Sequence, residues 1–322
     1  MSTPTFSIAI PAFKRTFLRE CIQSVLDQTC QDFELIIVND NSPENLDDIV
    51  NLFSDPRIHY SKNETGFGAY NVSRNWDKCL NLAQGLYFMC MGDDDKLLPD
   101  CLENYIKLIE SFPGINLFHA RTQWINENSS VFDQQDSLPP QESVWSMIWH
   151  RWFQGRKMCM GDFLFRTSVL KDMGGFIWFP YAWGSDEQTV YAVAFKEGGV
   201  ANMQDFGFQF RINTQSISGS GNLYKEKTEA WRLGKEWIKE FLQTKPSNPD
   251  DIYYWQSLNE GLDHYYKERF GAMVRQDFRD NSLKNFHYWM NNRNKYGLPI
   301  KDIMKYLIVG LKQRAGSNCL LI

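Results

Sequence analysis

The chain has 322 residues, 43% of them hydrophobic, enough to bury one full core and a second, smaller unit. Its 34 Lys and Arg against 39 Asp and Glu leave a net charge of -5, which lacks the cationic field that nucleic acid attracts and argues against such a partner. The 7 cysteines include no Cys-x-x-Cys pair and no apolar run approaches the roughly 20 residues that span a bilayer, so the sequence reads as a soluble protein of a reducing cytoplasm.

Residues 6 to 13 and 33 to 39 are short apolar runs that read as strands. Between them Phe17, Leu18, Cys21, Ile22, Val25 and Leu26 fall at helical spacing. Ser42-Pro43 predicts a helix opened by a cap and a first-turn proline, followed by a strand at 57–61, a helix over 69–83 and a strand at 86–91. Such alternation implies an α/β fold with a mostly parallel sheet covered on both faces. After Pro99 a helix carries Leu102, Tyr105, Ile106 and Ile109, and Ile115 to Trp124 reads as a strand. Residues 125–142 hold Pro139-Pro140 and read as a polar loop. Trp145, Ile148, Trp149 and Trp152 form an aromatic helical face, and strands at 163–165 and 206–211 flank a helix that starts at Ser185. From about Leu223 only helical spacing remains, which divides the chain into a domain over 1–220 and a helical extension over 221–322.

The strongest chemical signal is Met91-Gly92-Asp93-Asp94-Asp95 at the carboxyl end of a buried strand. Strand ends form the ligand crevice of an open α/β sheet, and carboxylate oxygens suit Mg²⁺ or Mn²⁺. An acidic turn capping the next helix accounts for the three acids equally well. Asp40 follows another apolar strand; Ser42 is better placed to cap the next helix, which leaves Asp40 free for a base N–H or a ribose hydroxyl. The five histidines show no metal-ligand spacing. Gly66-Phe67-Gly68 lacks the third glycine of a dinucleotide fingerprint.

Taken together, Ser7 to Ala12 with Pro11 at the strand end, Ser24 to Thr29, Glu34 to Ser42, Asn63 with Gly66, Ser73-Arg74-Asn75 and Gly92 to Asp95 followed by Leu97-Leu98-Pro99 resemble the bacterial family two glycosyltransferases of the GT-A fold. The resemblance covers about the first 220 residues, with a nucleotide-sugar half over about 1–100 and an acceptor half over about 101–220. It implies that Pro11 and Phe13 border the nucleotide, that Asp40 recognises the base, and that Arg74 steadies the nucleotide side. Counting back from Pro99 places the last acid of the family's DxD motif, the metal anchor, at Asp94. Gly92 stands where the first acid is usual, so Asp93 takes the ribose or water-mediated contact and Asp95 assists with the metal. Phe165 to Leu170 and Gly174-Gly175-Phe176 resemble the segment before the family's Glu-Asp motif, which falls on Ser185-Asp186 and makes Asp186 the base. Ser185 to Gln188 also reads as a capping box. Arg211-Ile212-Asn213, followed by Ser216 and Ser218, resembles a segment near the diphosphate, with Asn213 where a His is usual.

The resemblance implies inverting, metal-dependent hexosyl transfer from a nucleotide-diphosphate donor, a UDP-sugar favoured, to a hydroxyl of a saccharide or lipid-linked saccharide in surface polysaccharide synthesis. A divalent ion neutralises the leaving diphosphate, and a carboxylate across the pocket takes the proton of the attacking hydroxyl. Trp178, Tyr181 and Trp183 are candidate acceptor-stacking residues. Ile303, Leu307, Ile308 and Leu311 on one side of a helix with Lys301, Lys305, Lys312 and Arg314 elsewhere also suit peripheral contact with the inner membrane face. A sugar-phosphate nucleotidyltransferase and a catalytically silent carbohydrate-binding homologue stay open as alternatives.

Overall fold

A computed structural model describes residues 3–196, 198–213 and 223–319. In chain order the elements are β1 (Phe6–Ala12), α1 (Leu18–Leu26), β2 (Phe33–Asn39), α2 (Asp47–Val50), β3 (Ile58–Lys62), α3 (Val72–Leu82), β4 (Tyr87–Cys90), β5 (Lys96–Leu97), α4 (Cys101–Ser111) and β6 (Leu117–Ile125). There follow β7 (Val131–Gln134), β8 (Gln141–Glu142), α5 (Val144–Phe153), β9 (Phe163–Arg166), α6 (Thr167–Asp172), α7 (Ser185–Lys196), β10 (Val200–Arg211), α8 (Tyr224–Phe241), α9 (Pro249–Asn281), α10 (Phe286–Asn292) and α11 (Ile300–Cys319). They fall into two compact units, Met1–Trp178 with Ser185–Ser216 and Phe179–Gly184 with Ile217–Ile322.

The first unit is built on a sheet of order β3-β2-β1-β4-β9-β6-β10-β5, with β7 on β6 and β8 on β10. Its long ladders are parallel, β1 with β2 over Phe6 to Ala12 and β6 with β10 up to Arg211, while the short β9 runs antiparallel to both β4 and β6. Every residue of β2 is buried, as a strand covered on both faces requires. Glu34 is tolerated there because its Oε1 accepts hydrogen bonds from Ser7 Oγ at 2.5 Å and Gln84 N at 2.6 Å. Leu18, Cys21, Ile22 and Val25 of α1 and Leu102 and Tyr105 of α4 pack into the same core as Phe6, Ile8 and Leu35. Each such side chain contributes about 1.5–3 kcal/mol over its exposed state.

The predicted strands and the aromatic α5 are present, with three differences. The helix expected at Pro43 starts only at Asp47, because Ser42 Oγ donates to Phe13 O at 2.5 Å and accepts from Glu44 N, fastening a turn to the end of β1. The helix expected from Ala69 begins with a short tight turn before α3. The loop expected over 125–142 contains β7 and β8, which hold by pairing with β6 and β10.

In the second unit Trp231 of α8 meets Tyr265 and Tyr266 of α9 edge-on. Asp277, fully buried, accepts hydrogen bonds from Asn281 Nδ2 at 2.6 Å, Asn285 Nδ2 at 2.9 Å and Trp289 Nε1 at 2.6 Å. α11 packs closely on α9 at Gly310, where a Cβ would stand 2.7 Å from Arg275 O. Ile303 and Leu307 are buried there, but Ile308, expected on the same side, is exposed together with Ile300 and Met304. Among the described residues no helix is long and apolar enough to cross a membrane.

Candidate active site

The carboxyl ends of β1, β2 and β4 lie side by side, and the chain leaving each is tied to its neighbour: Asp40 N donates to Ala12 O at 2.9 Å and Met91 N to Ala9 O at 2.9 Å. Pro11 is partly exposed at this edge, and Phe13 is well exposed beyond it. Asp40 is not free as expected. Its Oδ1 accepts from Asn63 Nδ2 and Phe67 N, each at 2.8 Å, and its Oδ2 from Gly68 N at 3.1 Å. The carboxylate therefore shapes the loop between β3 and α3. Arg74, on α3, is exposed, and its charge bears on Asp77.

The three acids after β4 take separate directions. Asp93 Oδ2 accepts the backbone N–H groups of Phe13 and Lys14, both at 2.7 Å, which clamps the end of β1 to the turn. Lys14 Nζ lies 2.5 Å from Asp94 Oδ2 and 3.2 Å from Asp93 Oδ1. Asp94 Oδ2 also accepts from Asn213 Nδ2 at 2.6 Å. Asp95 turns inward, accepting from Arg211 N at 3.0 Å and Gly92 N at 3.2 Å. Burial raises the Asp93 carboxyl and lifts that of Asp95 well above the usual range; the Asp94 charge adds to both, and Lys14 pulls Asp93 back down. Burial opposes the Lys14 charge, but Asp93 and Asp94 outweigh it and raise the ammonium pKa. Glycine stands at position 92 because a Cβ there would lie 2.8 Å from Asp95 Oδ2 and 2.9 Å from Asp94 Oδ1.

Arg211 was expected at the diphosphate, yet it is 1% exposed. Its Nε donates to Asp94 O at 2.8 Å, Nη1 to Asn126 O and Ser129 Oγ, and Nη2 to Glu20 Oε2 at 3.0 Å, with the guanidinium 4.2 Å above the Phe17 ring. It is an internal strut that holds the acid turn from behind. Ser216 and Ser218 lie outside the described residues.

A divalent ion needs oxygen ligands, and among the described residues no three acid, His or Cys side chains form a group that holds one. Both Asp95 oxygens are taken by backbone N–H groups, so its expected part in metal binding is not supported by its orientation. Asp94 Oδ1 accepts no hydrogen bond among the described residues. The arrangement fits a cation anchored by Asp94 alone and completed by donor oxygens, a common mode for Mg²⁺.

Asp186 sits in the first turn of α7, partly open to solvent but enclosed by protein on its other sides. Burial, with help from Glu187 and Asp162, lifts its carboxyl from 3.8 to about 6, against an opposing pull from Glu187 N–H and Arg151. Burial raises the Cys159 thiol well above its ordinary range, and the charges of Asp162, Asp95 and Asp186 add to it. The return bond of the expected capping box is absent, since Gln188 Oε1 finds no hydrogen-bond partner among the described residues, and the helix begins at Ser185 itself.

Asp162, fully buried, accepts from Thr122 Oγ1 and Cys159 Sγ, both at 3.0 Å, with His119 Nε2 3.5 Å away. Sequence reasoning missed this residue and Lys14, since neither lies in a periodic pattern that reveals its direction. Trp178 Nε1 donates to Asn71 Oδ1 at 3.1 Å, and its ring meets Tyr70 edge-on. Tyr181 and Trp183 belong to the second unit, where Lys227 Nζ lies 4.3 Å over the Trp183 ring. A cavity of about 650 Å³ in the first unit is lined by Trp124, Asp133, Trp149, His150 and Arg156 among others, and by none of the predicted donor-site residues.

Residues 7–174 match the family model of glycosyl transferase family 2. The chain is 38% identical over 141 residues to the putative colanic acid biosynthesis glycosyl transferase WcaA of Escherichia coli, a match covering 43% of this chain and 49% of WcaA. It spans about half the length of the curated relatives it matches. S. aureus TarS 1-349 in complex with UDP-GlcNAc shares its fold with a TM-score of 0.64 at 14% identity, over 97% of this chain and 92% of that one. The mannosyltransferase PcManGT from Pyrobaculum calidifontis, in complex with GDP-Man and Mn2+, does so with a TM-score of 0.57 at 12% identity, over 98% and 88%. The curled, mostly parallel sheet is thus that of the GT-A glycosyltransferases, and the chain belongs to glycosyl transferase family 2.

Proposed function

We propose that this chain is an inverting glycosyltransferase that moves a sugar from a UDP-sugar to a hydroxyl of a saccharide or lipid-linked acceptor. The observation that carries this reading is a carboxylic acid with a pKa of about 6, Asp186, in the same unit as an acid turn at the ends of parallel strands. A carboxyl at that pKa is ionised at neutral pH and basic enough to take the acceptor proton as the hydroxyl attacks. The names of two relatives, the colanic acid protein and the putative teichuronic acid biosynthesis glycosyltransferase TuaG of Bacillus subtilis, support a place in surface polysaccharide synthesis.

Asp94 would hold a divalent ion, Mn²⁺ or Mg²⁺, whose charge stabilises the departing diphosphate. Asp93 fixes the main chain at Phe13 and Lys14, and so the wall on which the nucleotide lies. Asp40 orders the 63–68 loop that borders the base, and Arg74 remains exposed to steady the nucleotide side. The UDP-GlcNAc held by TarS favours a UDP donor, and the Mn2+ held by PcManGT favours a metal. A thermal-shift panel of UDP-, GDP- and dTDP-sugars tests both: the largest stabilisation is expected from a UDP-sugar with Mn²⁺ and its loss from Asp94→Ala. Stabilisation by none of the panel would reject the reading.

For acceptor stacking, Trp178 is the candidate in the first unit, and Tyr181 and Trp183 are separate candidates in the second. Tyr181 and Ala182 are both held at positive φ, 60° and 50°, a strain of about 1–2 kcal/mol per residue of the kind that gathers at functional sites. On α11 the exposed Ile300, Met304 and Ile308 recur every fourth residue beside exposed Lys301, Lys305 and Lys312, which suits contact with an anionic membrane surface. The full chain is expected to sediment with anionic vesicles and a truncation at Leu298 to stay in solution; equal behaviour of the two would remove the membrane role.

A further inference from the structure

The side chain closest to the Asp94 carboxylate is itself a cation. Lys14 Nζ lies 2.5 Å from Asp94 Oδ2 and 3.2 Å from Asp93 Oδ1, so one ammonium neutralises both acids. Its main chain cannot leave, because Phe13 N and Lys14 N are both held by Asp93 Oδ2. Its four-carbon stem can, since the side chain keeps 23% exposure and a lysine head is a mobile point charge. Asn213 Nδ2, at 2.6 Å from the same Asp94 oxygen, adds a second donor where a metal would seek a lone pair.

We infer that Lys14 is a built-in counter-cation that competes with the divalent ion for Asp94, so that the ion loads together with the nucleotide. A positive ammonium and a divalent ion repel when they share one carboxylate, and the repulsion is strong at a half-buried site. An arriving diphosphate offers Lys14 another anionic partner within reach of its stem. Once the ammonium moves to the phosphates, its charge no longer opposes the ion at Asp94, although Asn213 still donates to Oδ2, and the positive charge of Lys14 still serves the donor. The inference rests on the donor-site reading of Asp94.

Free Mn²⁺ measured by electron paramagnetic resonance during titration of the full chain tests it, without turnover. Without nucleotide, Lys14→Met should bind Mn²⁺ at least about tenfold more tightly than the parent, and Lys14→Arg, which keeps the charge, should bind it as weakly as the parent. Added UDP should then tighten Mn²⁺ binding more in the parent than in Lys14→Met. Asp94→Asn should lose the ion in every case. If Asp94→Asn loses Mn²⁺ while Lys14→Met binds it no better than the parent, the role of Lys14 is overturned and the donor site stands. If Asp94→Asn keeps parental Mn²⁺ binding, the donor-site reading falls and the inference with it.

Discussion

Asp186 makes the sharpest residue-scale prediction. Its carboxyl is lifted from 3.8 to about 6, so a reaction that needs it as a base should rise with pH and level off above a midpoint near 6. The same shift acts on stability. The folded chain holds this proton more tightly than the unfolded chain, so the ionised carboxylate costs stability progressively as pH climbs from about 4 to about 6. Asp186→Asn should therefore melt higher than the parent at pH 7, by the equivalent of about 1–2 kcal/mol given the partly open face of the group, and the gap should close below pH 4. Melting curves at pH 4 and pH 7 check both signs; a parent more stable than Asp186→Asn at pH 7 would show that the carboxylate is held by favourable contacts instead of strained by burial.

Asp277 shows how one element end is set by a single acid. It receives three side-chain donors from the last turn of α9, the following turn and Trp289 of α10, and it is fully buried. Asp277→Ala leaves the Trp289 N–H and two amides without that acceptor, and denaturant unfolding should report a loss of about 2–4 kcal/mol. A loss below about 0.5 kcal/mol would mean that water replaces the carboxylate. Elements of this kind also mark what sequence can tell. β2 and the acid turn were legible because a doubly covered parallel strand must be an apolar run and its polar chemistry must wait for the strand end. β7 and β8 were not, since Val131, Phe132 and Gln141 are exposed and the strands exist only through their pairing. Asp95 and Arg211 were legible as residues but not in direction: a turn of three acids does not say which one faces inward, and only the packing around Glu20, Phe17 and Asn126 shows that Arg211 is buried.

At the scale of the molecule, the sheet brings three strand ends with Pro11, Asp40 and Asp94 to one edge, while Asp186 comes from α7, far along the chain but within the same unit. The proposed function needs these two groups to serve one reaction, each with a separable duty. In the proposed function Asp94 would serve donor binding, whereas Asp186 would serve proton removal and leave donor binding alone. The most direct measurement is transfer from a UDP-sugar by Asp186→Asn, read beside UDP binding by the same protein. The account predicts near-parental UDP affinity with transfer reduced by about 10²–10⁴-fold; transfer within about twofold of the parent, or UDP affinity lost along with it, would contradict it.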